Sequence, residues 1–308
     1  MKLSLRERVK HFHPKYWLTW LGLGFLYLVN KLPYHQQLAV GRGIGWIGFY
    51  SLKRFRHVAR INLSRCFPNR SEVQREQLLK EQFASLGMGV VESTMAWWTP
   101  IEKLRPLLHI EGREHLEKAL AKKQGVLLLS AHFSSLELCG HLFSEVFPIQ
   151  VVYREQTNLV FNSFLKGKRN IQQMQSIPRS GIRSIIRTLQ NNGTVWYAYD
   201  QDYGPKHSVF APFFGIETAT ITTPQRYIEL TSAQTFTAFY RRLPNGKGYQ
   251  ITLSPVDLTH LNEREAATRL NQALEKAILL APEQYFWIHR RFKTRPDTQT
   301  DFYTGSPK

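Results

Sequence analysis

The feature that most limits what this chain can become is residues 125–140, GVLLLSAHFSSLELCG. Val126, Leu127, Leu128 and Leu129, followed by Ser130 and Ala131, run from a glycine into His132, with Glu137 five positions further on. An apolar run this short reads as a strand buried on both faces, which is how strands look in a parallel sheet covered by helices. Ser134 and Ser135 are good N-cap residues for a helix that then carries Leu136, Leu138 and Leu142. The unit is strand, tight turn, helix, with a histidine in the turn.

Helix residues five apart point roughly 140° away from each other, so His132 and Glu137 would not meet on a regular helix. With His132 before the first turn and Glu137 inside it, the carboxylate can reach back to one ring nitrogen. The other nitrogen is then free to take a proton from a hydroxyl, and an imidazole near its ordinary pKa of about 6.5 suits that work. Amides at the helix start could hold an oxyanion. The blander alternative is a loop histidine beside a surface glutamate, a pattern that short motifs produce by chance.

The chain has 308 residues, enough for a substantial core in one large domain or two modest ones. Cys66 and Cys139 are its only cysteines. With no closely spaced thiols, neither a disulfide framework nor a zinc site is suggested, and a reducing compartment follows. A formal charge of +18 and a pI near 10.0 call for an anionic partner: nucleic acid, anionic lipid or an acidic carrier protein. The excess gathers at the amino end. Up to Arg70 the only acid is Glu7, against Lys2, Arg6, Arg8, Lys10, Lys15 and further basic residues beyond them.

Residues 16–29, YWLTWLGLGFLYLV, carry no charge. They fall short of the about 20 apolar residues that span a bilayer core, and no small-residue cleavage site follows. The expectation is a retained anchor, either a short tilted span or a helix lying in the interface, with Trp17, Trp20 and Phe25 among its membrane residues. Residues 38–52 form a second apolar patch rich in glycine, followed by Lys53, Arg54, Arg56, Arg60 and Arg65, a cluster suited to lipid phosphates. No recognition helix or RNP-like strand accompanies these charges, so nucleic acid is not the expected partner. Residues 1–60 are therefore read as a basic membrane anchor and interfacial segment, and residues 61–308 as the catalytic domain.

Beyond the anchor, Ser71 and Gln74 make a box-like helix start for a pattern with Leu78, Leu79, Phe83 and Leu86 on one stripe. Residues 105–124 read as a short helix leading to the central strand. Strands are expected at 149–153, 194–199, 236–240 and 249–253, the last two joined by a turn at 244–248. Helices are expected at 180–190, 223–231 and 266–280. The result is an α/β fold with a mostly parallel sheet flanked by helices. Three successive strands each deliver a polar residue at the carboxyl end: His132, Arg154 and Asp200. Open α/β sheets bind ligands just beyond that edge, so the three are expected to converge on one cleft.

With those residues in view, the chain resembles the late acyltransferases of lipid A biosynthesis, within the wider glycerolipid and lysophospholipid acyltransferase group. The likeness runs through HPKYWLTWLGLG, NLSRCFP, GMGVVESTMAWW, the His132 motif, VWYAYDQDYGP and APEQYFWIHRRFKTRP. The resemblance implies an inner-membrane enzyme with its site facing the cytoplasm. It would transfer a fatty acyl chain, lauroyl by expectation, from acyl carrier protein to a hydroxyacyl chain of Kdo2-lipid IVA. It places the catalytic pair on His132 and Glu137, with Tyr153, Arg154, Asp200, Gln201, Asp202 and Gly204 positioning substrate. By their charge, Arg154 and Arg169 are expected to steady anionic groups of the substrate, with Arg179 or Arg183 assisting. No metal or other cofactor is implied; acyl-acyl carrier protein is a co-substrate. Direct transfer needs no nucleophile from Ser130 or Cys139. The rival readings are a lysophospholipid acyltransferase, with the same chemistry on another acceptor, and a non-catalytic basic membrane adaptor.

Overall fold

A computed structural model describes residues 11–170, 173–296 and 301–303. The leading basic residues Lys2, Arg6, Arg8 and Lys10 lie outside the described residues. Strand β2 (Val126–Ser130) is the axis of the fold. All five of its residues are buried, and it pairs in parallel on both sides, with β5 (Thr194–Ala198) and β8 (Gln234–Arg242). Beyond β5 come β3 (Ile149–Tyr153) and β4 (Met174–Pro178), both parallel. Beyond β8 come β9 (Tyr249–Pro255), antiparallel, and β1 (Leu108–Glu111), parallel to β9. The seven-stranded order is β1-β9-β8-β2-β5-β3-β4, the mostly parallel α/β sheet expected of continuous apolar strands.

The β8–β9 reversal follows from its turn. Asn245, Gly246 and Gly248 all have positive φ, and a Cβ on Gly248 would sit 2.2 Å from the Leu107 carbonyl oxygen. Glycine there answers both a backbone and a packing demand. Three strand features were not expected. Strand β1 replaces part of what reads as helix between residues 105 and 124, because its half-exposed alternation with His109 and Glu111 carries little strand signal. Strand β4 ends in Pro178 at the sheet edge. The hairpin of β6 (Ser208–Phe213) and β7 (Ile216–Ile221) turns on Phe214 and Gly215, both at positive φ, without an Asn-Gly signal.

Eleven α-helices are assigned among the described residues. Helix α1 (Trp17–Val29) buries Leu23 and Val29, and its Asn30 cap donates to Thr99 Oγ1 at 2.9 Å. Its opposite face leaves Trp17, Leu18, Leu21, Phe25 and Leu28 exposed. At ~1.5 Å per residue its thirteen residues reach about 20 Å, short of a ~30 Å hydrocarbon core. No helix among the described residues is long and apolar enough to cross a membrane.

Helix α2 (Tyr34–Ser51) and α3 (Lys53–Cys66) lead to α4 (Glu72–Trp98), whose start carries the expected capping box of Ser71 and Gln74. The glycines of α2 let two helix backbones meet. A Cβ on Gly45 would fall 2.2 Å from Phe83 O, and one on Gly87 would fall 2.2 Å from Gly41 O. Helix α4 also receives the central turn, because Gly89 gives Ser134 O the space that any side chain would occupy. The remaining helices are α5 (Ile101–Leu104), α6 (Arg113–Ala121), α7 (Leu136–Ser144), α8 (Leu159–Arg169), α9 (Ile182–Gln190), α10 (Thr223–Thr231) and α11 (Glu263–Leu280).

Candidate active site

Strands β2, β5 and β3 are parallel neighbours, so their carboxyl ends open on one edge. His132 follows β2 and Asp200 follows β5, which places them opposite each other. Asp200 accepts from the His132 backbone amide through Oδ2 at 3.0 Å and meets ring Nδ1 through Oδ1 at 2.7 Å. An ionised carboxylate only accepts, so Nδ1 carries the proton and Nε2 is the nitrogen left with a lone pair. The His132 side chain is 27% exposed and that of Asp200 is 3% exposed. The ring is therefore gripped from inside and reachable from outside.

This corrects the expected pairing. Glu137 does not reach back to the imidazole. It lies in the first turn of α7 and turns to Arg169 at the end of α8, which donates from Nε at 2.9 and 3.0 Å and also from Nη2. Trp97 Nε1 adds a third donor at 3.2 Å. The serines at the helix start differ too. Ser135 makes no side-chain cap, and Ser134 Oγ joins Ser85 Oγ at 2.8 Å and the Arg242 guanidinium at 3.3 Å. Just before the helix start, the Phe133 and Ser134 amides donate to Tyr240 Oη and Gln284 O.

Burial works first to lower the His132 pKa, but the charge of Asp200 and its hydrogen bond outweigh it, so the imidazole ionises above its usual range. Asp200 is pushed up by burial and pulled down further by His132, ending below the carboxylate norm. A base must be neutral to work. Any reaction that uses this imidazole as its base is therefore expected to rise with pH along a limb centred above about 6.5, measured as kcat/KM against pH.

Two cavities meet at the ring. One is an apolar trough of about 460 Å³ walled by Gly48, Leu52, Phe83, Val90, Phe286 and Ile288. The other is a polar cavity of about 510 Å³ holding Tyr153, Arg154, Arg169, Arg179, Gln201 and Tyr203. His132 and Leu136 border both, while Glu137 faces the trough and its partner Arg169 the polar side. Arg179 stacks on the Tyr203 ring with 4.2 Å to the centroid. Asp202 and Gly204, expected to position substrate, border neither cavity. Asp202 accepts from Thr294 N at 2.6 Å, Thr294 Oγ1 at 2.8 Å and Gly204 N at 2.9 Å, so it shapes the loop instead. Gly204 supplies the positive φ of 88° that this loop requires.

The carboxyl-terminal segment, which sequence reasoning did not place in the site, supports the turn from the other side. Phe286 N donates to His132 O at 3.0 Å, and Ser134 N donates to Gln284 O at 2.8 Å. Burial pushes His289 down to about 4, so it stays neutral and accepts from Asp202 N at 3.0 Å. Beneath the turn, the buried Arg242 pairs with Glu92 and reaches Ser85 and Ser134. The only hint of this in the sequence is charge inside apolar stretches, which does not name a partner.

Ser130 is fully buried and donates to Ala238 O at 2.6 Å. Burial pushes the Cys139 thiol up to about 12. Neither is an available nucleophile. Among the described residues no group of three His, Cys, Asp or Glu side chains is arranged to hold a metal ion.

Residues 6–294 match the bacterial lipid A biosynthesis acyltransferase family. The chain belongs to that family. It is 40% identical over 294 residues to the lipid A biosynthesis palmitoleoyltransferase of Escherichia coli (strain K12), covering 94% of this chain and 96% of the relative. It is 39% identical over 288 residues to the lipid A biosynthesis lauroyltransferase of the same organism, covering 92% and 94%. The lipid A biosynthesis myristoyltransferase of that strain is 29% identical over 293 residues, covering 92% and 89%. In this lipid A acyltransferase the Glu137–Arg169 pair forms part of the wall between trough and polar cavity. Arg169→Ala would leave Glu137, with its side chain 13% exposed, short of its cation. That variant is expected to lose about 1–3 kcal/mol of stability in denaturant unfolding. Glu137→Gln is expected to leave the acid limb of the pH profile in place, because the imidazole is held by Asp200.

Proposed function

We propose that this acyltransferase moves a fatty acyl chain from an acyl carrier protein thioester to a hydroxyl on a hydroxyacyl chain of Kdo2-lipid IVA. The observation that carries the reading is the His132–Asp200 pair at the junction of an apolar trough and a basic cavity. A fatty chain and an anionic glycolipid head are the chemistries these two spaces accept.

In the proposed reaction, His132 Nε2 takes the acceptor hydroxyl proton as that oxygen attacks the thioester carbonyl carbon. Asp200 stabilises the imidazolium that forms. The new C–O bond is completed as the C–S bond breaks, and the imidazolium returns the proton to the departing thiolate. Arg154, Arg169 and Arg179 meet anionic groups of the substrates in the polar cavity. The acidic carrier protein and the phosphates and Kdo carboxylates of the acceptor answer the net charge of +18.

The exposed Trp17, Trp20 and Phe25 of α1 support seating in the lipid interface rather than crossing it. Location at the cytoplasmic face of the inner membrane is part of the same proposal, and is what the resemblance to the lipid A late acyltransferases implies. The test is the purified full-length protein with lauroyl-acyl carrier protein and either Kdo2-lipid IVA or a lysophospholipid, read by mass spectrometry. Transfer to Kdo2-lipid IVA is the expected result, and transfer only to the lysophospholipid would overturn the reading.

A further inference from the structure

Four glycines contribute to the wall of the trough. Gly45, Gly48, Gly87 and Gly89 all line it. Three of them are fixed by backbone contact, since a Cβ would meet Phe83 O at Gly45, Gly41 O at Gly87 and Ser134 O at Gly89, each at 2.2 Å. Gly48 is different. The nearest atoms to a Cβ there belong to two side chains rather than to backbone, Leu52 Cδ1 at 3.6 Å and Phe83 Cδ1 at 3.7 Å, which is ordinary contact. Both of those side chains are themselves trough walls. Gly48 lies inside α2 without positive φ. Neither backbone geometry nor helix packing requires glycine there; what its missing side chain leaves is space in the trough.

Its place along the trough gives that space a meaning. On α4 the Gly48 end is marked by Phe83, while Gly89, six residues later, abuts the His132 turn at Ser134. Six helical residues separate these levels by about 9 Å along the axis. A chain with its carbonyl at His132 and its tail along α4 therefore arrives at Gly48, Leu52 and Phe83 with its distal methylenes. We infer that Gly48, with Leu52 beside it four residues on, selects the length of the donor acyl chain. The inference rests on the acyl-transfer reading above. Overall similarity does not supply the same information, since relatives named for lauroyl and palmitoleoyl transfer stand at 39% and 40% identity.

The test uses the full-length protein with Kdo2-lipid IVA and decanoyl, lauroyl, myristoyl and palmitoyl thioesters of acyl carrier protein. Gly48→Met is expected to lower the ratio of kcat/KM for long over short donors by about tenfold or more, the scale at which a pocket discriminates methylenes. Gly48→Ala should shift the ratio in the same direction by less, and its single methyl meets nothing closer than ordinary contact, so it serves even where the larger variant fails to fold. Leu52→Ala, at a side chain already half-exposed, should shift the ratio the other way. Gly43→Met, at an exposed α2 position with nothing within 4 Å of its Cβ, should leave the profile unchanged. Profiles that scale by one common factor in the Gly48 variants and stay flat in Leu52→Ala overturn the inference while leaving acyl transfer standing. A wild-type protein inactive with every donor overturns both.

Discussion

His132→Ala is expected to reduce kcat/KM for acyl transfer by about 10² to 10⁴, the range a general base contributes. The ring sits where the two cavities join, and among the described residues no other imidazole borders either of them. His289, the histidine beside the Asp200–Asp202 loop, is committed as an acceptor to Asp202 N and is pushed down to about 4, so it cannot stand in. Both Arg242, beneath the turn, and Asp200, beside it, retain backbone or side-chain partners other than the ring. The variant should therefore keep its fold, as checked by circular dichroism. Activity within a few-fold of wild type in that folded variant would remove the imidazole from the mechanism.

Asp200→Asn should have an effect of comparable size, about 10² to 10⁴ in kcat/KM, for a reason that the geometry makes specific. Both carboxylate oxygens are engaged, one by the His132 amide and one by Nδ1. An asparagine has a single oxygen. If that oxygen keeps the backbone amide, its NH₂ faces Nδ1 and donates to it, which forces the ring proton onto Nε2. The histidine is then in the tautomer that cannot accept from an alcohol. The residual activity should also show an acid limb at lower pH, because the charge that raises the imidazole pKa is gone and burial still lowers it. A Glu137→Gln protein measured alongside should keep the wild-type limb. The opposite pattern, with the limb moving on Glu137→Gln and not on Asp200→Asn, would return the orienting role to Glu137.

The two carboxylates separate what local sequence fixes from what long-range packing fixes. His132 was legible because its context is local: a buried strand, then a turn, then a helix, all within sixteen residues. Arg154 and Asp200 were legible as a set, because strand order in a parallel sheet sends successive carboxyl ends to one edge. The choice between Glu137 and Asp200 as the partner of the ring was not legible. It depends on β5 lying directly beside β2 and on Arg169 arriving from α8 to take Glu137, and both are long-range facts. Asp202 and Gly204 illustrate the same limit, since residues two and four positions beyond Asp200 are claimed by loop geometry and by Thr294.

The apolar strand patterns, the Ser71 capping box, the 244–248 turn and the basic amino end each depend on neighbours within a few residues, and the sequence alone determined them. It also carried the family, through stretches long enough to be specific. Tertiary structure alone decided which carboxylate holds His132, that the glycines of α2 and α4 bring two backbones together beside a trough, and that the 284–289 segment braces the His132 turn. The physical reason is one of range: periodicity and capping are set along the chain, whereas hydrogen-bond partners and cavity walls are set by segments that meet only after the sheet has formed.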